Sequence, residues 1–158
     1  MTSAARRALA LLVEPPEGGP RAPAAPGPPL DVAVTGLSGG CGASTVAQGL
    51  RRELPGARVI DGFAPASVDV LVVVAGRTGL PVLARLVADR LRLRHESVVL
   101  VANRPEDPQE WEPLEAVCVP QSRFGVLLLA RGRRAPGSFG AALRQVAVRV
   151  QGAAPGSA

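Results

Sequence analysis

The chain has 158 residues, the length of one ordinary domain, and 47% of them are apolar, enough to fill a core. Aromatic residues make up only 3%, lysine is missing altogether, and the net charge of +5 rests on arginines with no aromatic platform between them, which speaks against stacking on nucleic-acid bases. No apolar run is long enough to span a membrane, and Cys41 and Cys118 lack metal-ligand spacing, so they read as reduced thiols rather than as a disulfide or zinc framework.

Residues 1–14 form a short N-terminal segment. Residues 3–13 have helical spacing, with Ala8, Leu11 and Leu12 on one side. Arg6 to Val13 resembles the start of a signal peptide, but the apolar part is short and Glu14-Pro15-Pro16-Glu17 stands where a cleavage site belongs. Residues 15–29 are Pro, Gly and Ala with two charges, a flexible linker. A helical peptide on such a tether suits docking, onto the domain or a partner; disorder is the alternative.

Leu30-Asp31-Val32-Ala33-Val34-Thr35 reads as a buried strand, β-branched and free of internal Pro and Gly. Gly36-Leu37-Ser38-Gly39-Gly40-Cys41-Gly42 is too rich in glycine for a strand or helix interior. From Ser44 the chain turns helical, with Val46, Ala47, Leu50 and Leu54 on one side. Strand, glycine loop and helix together make a phosphate cradle, in which backbone N–H groups and the positive helix end converge on an anion.

Ser38-Gly39-Gly40-Cys41-Gly42-Ala43-Ser44-Thr45 resembles the deviant Walker A loop of the MinD/ParA P-loop ATPases (SIMIBI class), K-G-G-x-G-K-[ST]-[ST], in six of eight positions. The loop also resembles that of the atypical TadZ/CpaE-like branch. The resemblance covers roughly residues 31–151 and implies ATP or ADP with Mg²⁺, phosphates on Gly39, Gly40, Cys41, Gly42, Ala43, Ser44 and Thr45, and Ser44 as a metal ligand. Both departures replace lysines: Ser38 stands for the one that reaches a partner subunit's nucleotide, Ala43 for the one that holds the β- and γ-phosphates. Each charge-assisted hydrogen bond is worth about 1.5–3 kcal/mol, so affinity falls and catalysis falls further. A glycine-rich turn kept for close packing is the plainer alternative.

Further along, Arg58–Gly62 is a second strand ending in an acid. Asp61 is a candidate catalytic or Mg²⁺-positioning residue, or simply a turn acid. The chain then runs almost directly to the valine-rich strand Val68–Ala75, so one strand and one switch region of the family are missing here. Leu80–Arg94 is an amphipathic helix predicted to bury Leu80, Leu83, Val87 and Leu91 opposite Arg85, Asp89 and Arg92. His95 follows as a cap or surface group. Ser97–Ala102 is another buried strand, ending in Asn103-Arg104-Pro105; Asn103 is the base contact that the resemblance implies, or else a strand-ending Asn in a turn.

Asp107-Pro108 begins a short helix carrying Trp111, which is predicted to fold onto the domain. Glu115–Pro120 is a final strand, and the resemblance sets Pro120 beside the base. Ser122 caps a helix with Phe124, Leu127 and Leu128, closed by Gly132. Ser138 caps a last helix with Phe139, Leu143, Val146 and Val150. A membrane-binding terminal helix is the family's use; here it is needed to cover the sheet. Residues 152–158 form a disordered tail.

The order of elements specifies an α/β fold of three layers, a mostly parallel sheet in a P-loop NTPase-like domain over residues 30–151. The expected function is that of a degenerate, cytoplasmic MinD/ParA-type ATPase relative with weak or absent nucleotide binding. It would serve localisation or scaffolding for pilus or secretion machinery, with a protein partner, a homodimer, or a place at the inner membrane or cell pole. One alternative is an active positioning ATPase in which Arg77, Arg104, Arg123 or Arg131 replaces the lysines. Another is a nucleic-acid-binding module using Arg123, Arg131, Arg133 and Arg134.

Overall fold

The computed structural model describes residues 28–62 and 67–157, so the expected N-terminal helix and nearly all of the linker lie outside the described residues. Five strands form one parallel sheet: β1 (Asp31–Gly36), β2 (Arg58–Asp61), β3 (Val70–Ala75), β4 (Val98–Asn103) and β5 (Val117–Val119), in the order β2-β1-β3-β4-β5. The helices are α1 (Ala43–Glu53), α2 (Pro81–Arg92), a 3₁₀ helix (Pro108–Leu114), α3 (Arg123–Ala130) and α4 (Gly137–Ala153).

Alternate residues of each strand serve opposite layers. Val32, Val34, Val70, Val72, Val74 and Val101 face α1, α3 and α4, where they meet Val46, Leu50, Leu143, Val146 and Phe139. Ala33, Leu71, Val73, Leu100 and Ala102 face α2 and the 3₁₀ helix, where Ala84 and Trp111 cover them. All six residues of β3 are buried, which is why its valines show no alternation with polar residues. At the start of the sheet, Arg58 grips Asp31 through two hydrogen bonds of 2.8 and 2.6 Å. That hydrogen bond and the carboxylate's charge hold the guanidinium's pKa above its ordinary value. Asp69 accepts from the Asp31 N–H at 2.8 Å.

The sheet order is that of a doubly wound fold whose direction reverses between β1 and β3. Winding away on either side of that point sends α1 and α2 to opposite faces. Among the described residues, β2 pairs directly with β1 and no strand lies between them.

Several local expectations change. The stripe read for α2 faces the sheet only in part: Leu91 packs on that core and Val87 is half-buried, but Leu80 and Leu83 are 66% and 53% exposed, and Ala84 and Ala88 take the inward positions. Leu71, Val73 and Leu100 already fill that side of the sheet, so alanines take the fully buried positions of the helix. Asp107 does cap the short helix that follows, accepting from the Gln109 N–H at 2.9 Å; that helix is 3₁₀, and Pro113 inside it lacks the N–H an α-helix needs. Ser138 is not a cap, for α4 begins at Gly137 behind Pro136 with no side-chain cap. Ser122 does cap α3, accepting from the Gly125 N–H at 2.9 Å, and Gly132 closes that helix at φ 71. Phe139, Leu143, Val146 and Val150 of α4 are core. Among the described residues no helix is long and apolar enough to cross a membrane.

Candidate functional site

The loop between β1 and α1 leaves the sheet at the reversal point, where doubly wound folds bind ligands. The Leu37 N–H donates to the Val74 carbonyl at 2.9 Å and starts the loop over β3. Cys41, the variable position of the motif, is buried and wedged against two glycines. A Cβ at Gly76 would lie 2.9 Å from the Cys41 Cα, and one at Gly36 would overlap the Cys41 sulfur. Gly36 and Gly76 are thus the floor of the loop, at the ends of adjacent strands.

Gly40 and Gly42 adopt φ of 71° and 87°, left-handed values that glycine reaches without strain. Such alternation turns successive N–H groups toward one side, an anion-binding nest. Two consecutive residues at the end of β4 fix the loop from behind. The Asn103 amide donates to the Cys41 carbonyl at 2.8 Å, and Arg104 Nη2 donates to the Gly40 carbonyl at 3.2 Å. A side chain at Gly42 would collide with the Asn103 amide, so this glycine is required by close approach as well as by φ. Gly42 caps α1 without a side-chain bond, and the first turn of α1 holds no acid. The positive end of the helix is therefore left open to an external anion.

The loop opens onto a cavity of about 940 Å³, within the size range of small-molecule sites. Ser38 to Thr45 form one wall; Asn103, Arg104, Pro120, Gln121, Ser122 and Arg123 form the other, with Val126 and Phe139 behind. The lining carries two arginines and no carboxylate. Arg104 also borders a second cavity of about 960 Å³ shared with Arg77, Glu106, Cys118 and Gln145. Its Nε is buried with no partner among the described residues, a donor that an anion's oxygen would satisfy.

The fold gathers the sequence-predicted residues unevenly. Gly39, Gly40, Cys41, Gly42, Ala43, Ser44, Thr45, Asn103 and Pro120 all line the one cavity. Asn103 is 4% exposed, and its amide is spent on the loop. Asp61 ends the edge strand β2, exposed, and is not among the lining residues. The donor set fits phosphate oxygens well; for a Mg²⁺ ion the lining offers hydroxyls, that of Ser44 among them, and no acid. Among the described residues no three His, Cys, Asp or Glu side chains cluster as metal ligands.

Of the arginines, Arg104 and Arg123 reach the cavity. Arg77 pairs with Glu106 at 3.2 Å beside the second cavity, and Arg131, at the C-terminal end of α3, lines neither. Burial raises the Cys118 thiol pKa, and Glu112 adds to the effect, so this cysteine stays a neutral thiol near pH 7. The parts least visible in the sequence are Gly76, Gln121 and Phe139. Gly76 had a signal, a glycine directly after a buried strand; the other two reach the cavity only through the sheet order. Comparison of the chain with protein-family models, with curated proteins and with solved structures returns no match.

Proposed function

We propose that this domain binds the phosphates of a nucleotide such as ATP or ADP in the glycine-loop cavity without turning it over, and that it works as a localisation or scaffolding protein. One observation carries the reading. The nest at Gly40 and Gly42 is braced from behind by Asn103 and Arg104 and opens, beside the uncapped start of α1, onto a carboxylate-free cavity. Backbone donors held in advance bind an anion without reorganisation. Turnover needs mobile positive charge on the transferring phosphoryl group, and Ser38 and Ala43 supply none at the lysine positions. On this reading, nucleotide occupancy sets the shape of the loop and α3, and a protein partner reads that shape.

Calorimetric titration of the full chain with ATP·Mg²⁺ and ADP tests the binding step. Saturable binding abolished by Gly42→Val, with no phosphate release above that of buffer, is the expected result. Silence up to millimolar nucleotide would remove it. A second reading is favoured by Arg104 and Arg123 at the cavity: a working ATPase in which arginine replaces lysine. It requires phosphate release that Gly42→Val abolishes.

A further inference from the structure

The layer holding α2 and the 3₁₀ helix presents two surfaces of opposite character side by side. Ala84 and Ala88 face the sheet, so the outward ridge of α2 and its C-terminal cap is Val82, Leu86 and Leu93, exposed at 74%, 64% and 77%. Arginines flank the ridge. Arg85 and Arg92 line the groove toward the 3₁₀ helix, and helical spacing puts Arg90 and Arg94 on the far side. Asp89 is the one acid of α2 and pairs with both Arg85 and Arg92, at 3.9 and 2.8 Å. Arg90 and Arg94 have no ion-pair partner among the described residues.

The adjoining segment is the reverse. Between Glu106 and Glu115 there are five exposed carboxylates and no basic residue, with Pro108 and Pro113 exposed among them. Glu106 pairs with Arg77, whereas Glu110, Glu112 and Glu115 have no ion-pair partner among the described residues. An anionic bilayer would be drawn to α2 and repelled by its acidic neighbour. A second copy of the chain, turned through a two-fold axis over the groove, lays each basic, apolar α2 on the acidic, proline-bearing helix of its mate. The same contact is then made twice.

We propose that this layer is a homodimer interface, in which the Val82–Leu86–Leu93 ridge packs on the Pro108–Pro113 surface of the second copy and Arg90 and Arg94 meet Glu110 and Glu112. It lies on the opposite side of the sheet from the glycine-loop cavity and stands independently of nucleotide binding.

Sedimentation of the full chain tests it. Wild type forms a dimer that weakens as salt rises. The double variants Arg90→Glu/Arg94→Glu and Glu110→Arg/Glu112→Arg change only exposed residues, and each weakens self-association about tenfold or more. Mixing the two restores the dimer, because every basic surface in the mixed pair again faces an acidic one. A wild-type chain that stays monomeric at about 0.1 mM would overturn the proposal, as would failure of the mixture to associate. So would flotation of a monomeric wild type with phosphatidylglycerol vesicles, which would assign the ridge to a membrane.

Discussion

Arg104 adopts a φ of 58°, a left-handed conformation that costs a residue with a side chain about 1–2 kcal/mol and costs glycine nothing. Its backbone N–H donates to the Val119 carbonyl at 2.7 Å, and its guanidinium ties down Gly40, so the surrounding structure holds the strain in place. Strain kept beside a cavity points to use. Arg104→Gly relieves the backbone and should change stability by less than about 1 kcal/mol, while lowering ADP or ATP affinity about tenfold or more. Arg104→Ala keeps the strain and should melt lower than the glycine variant. Thermal unfolding and calorimetry on the same samples read both effects, and unchanged affinity in Arg104→Gly would detach this residue from the ligand. At this scale the loop itself was legible, because a nest needs glycines at particular positions and the sequence shows them. The brace was not. Asn103 and Arg104 lie more than sixty residues from the carbonyls they hold, and no local pattern reports that approach.

At the scale of elements, α2 and α4 look alike in sequence, each with large apolar residues at helical spacing, yet they are used differently. Leu143 of α4 is 1% exposed and packs directly on Gly49 of α1, where an added Cβ would lie 2.7 Å from it. Leu86 of α2 is 64% exposed. Leu143→Ala should therefore cost about 2–5 kcal/mol, the range for a buried leucine whose site cannot collapse. Leu86→Ala should stay within about 0.5 kcal/mol in the monomer. Urea unfolding at low protein concentration separates them, and a large loss in Leu86→Ala would mean that α2 is turned the other way. Periodicity gives a helix an apolar face but does not say what lies beneath it. Here bulky strand residues below α2 selected its alanines for the inside.

At the scale of the whole molecule, β3 is paired on both edges, to β1 and β4, and covered on both faces. β2 and β5 are the short outer strands. Opening of the sheet should proceed from its margins, so the amides of Leu71 to Val74 should exchange hydrogen only with global unfolding. Those of β2 and β5 should exchange earlier, and hydrogen-exchange spectrometry orders them. Comparable protection at β5 and β3 would mean that the outer strand is covered by something beyond the single chain.

The amino-acid sequence by itself determined which segments are strands, the parallel α/β layout and the place of the glycine loop between β1 and α1. Each of these follows from short-range chemistry: β-branched runs, caps and breakers, and glycines where φ must be positive. Only the tertiary structure decided the order β2-β1-β3-β4-β5, the seating of Cys41 between Gly36 and Gly76, the bracing by Asn103 and Arg104, and the outward turn of Leu83 and Leu86 on α2. Those features depend on which distant surfaces meet and how much room they leave, and that is fixed by packing across the sheet rather than by neighbours along the chain.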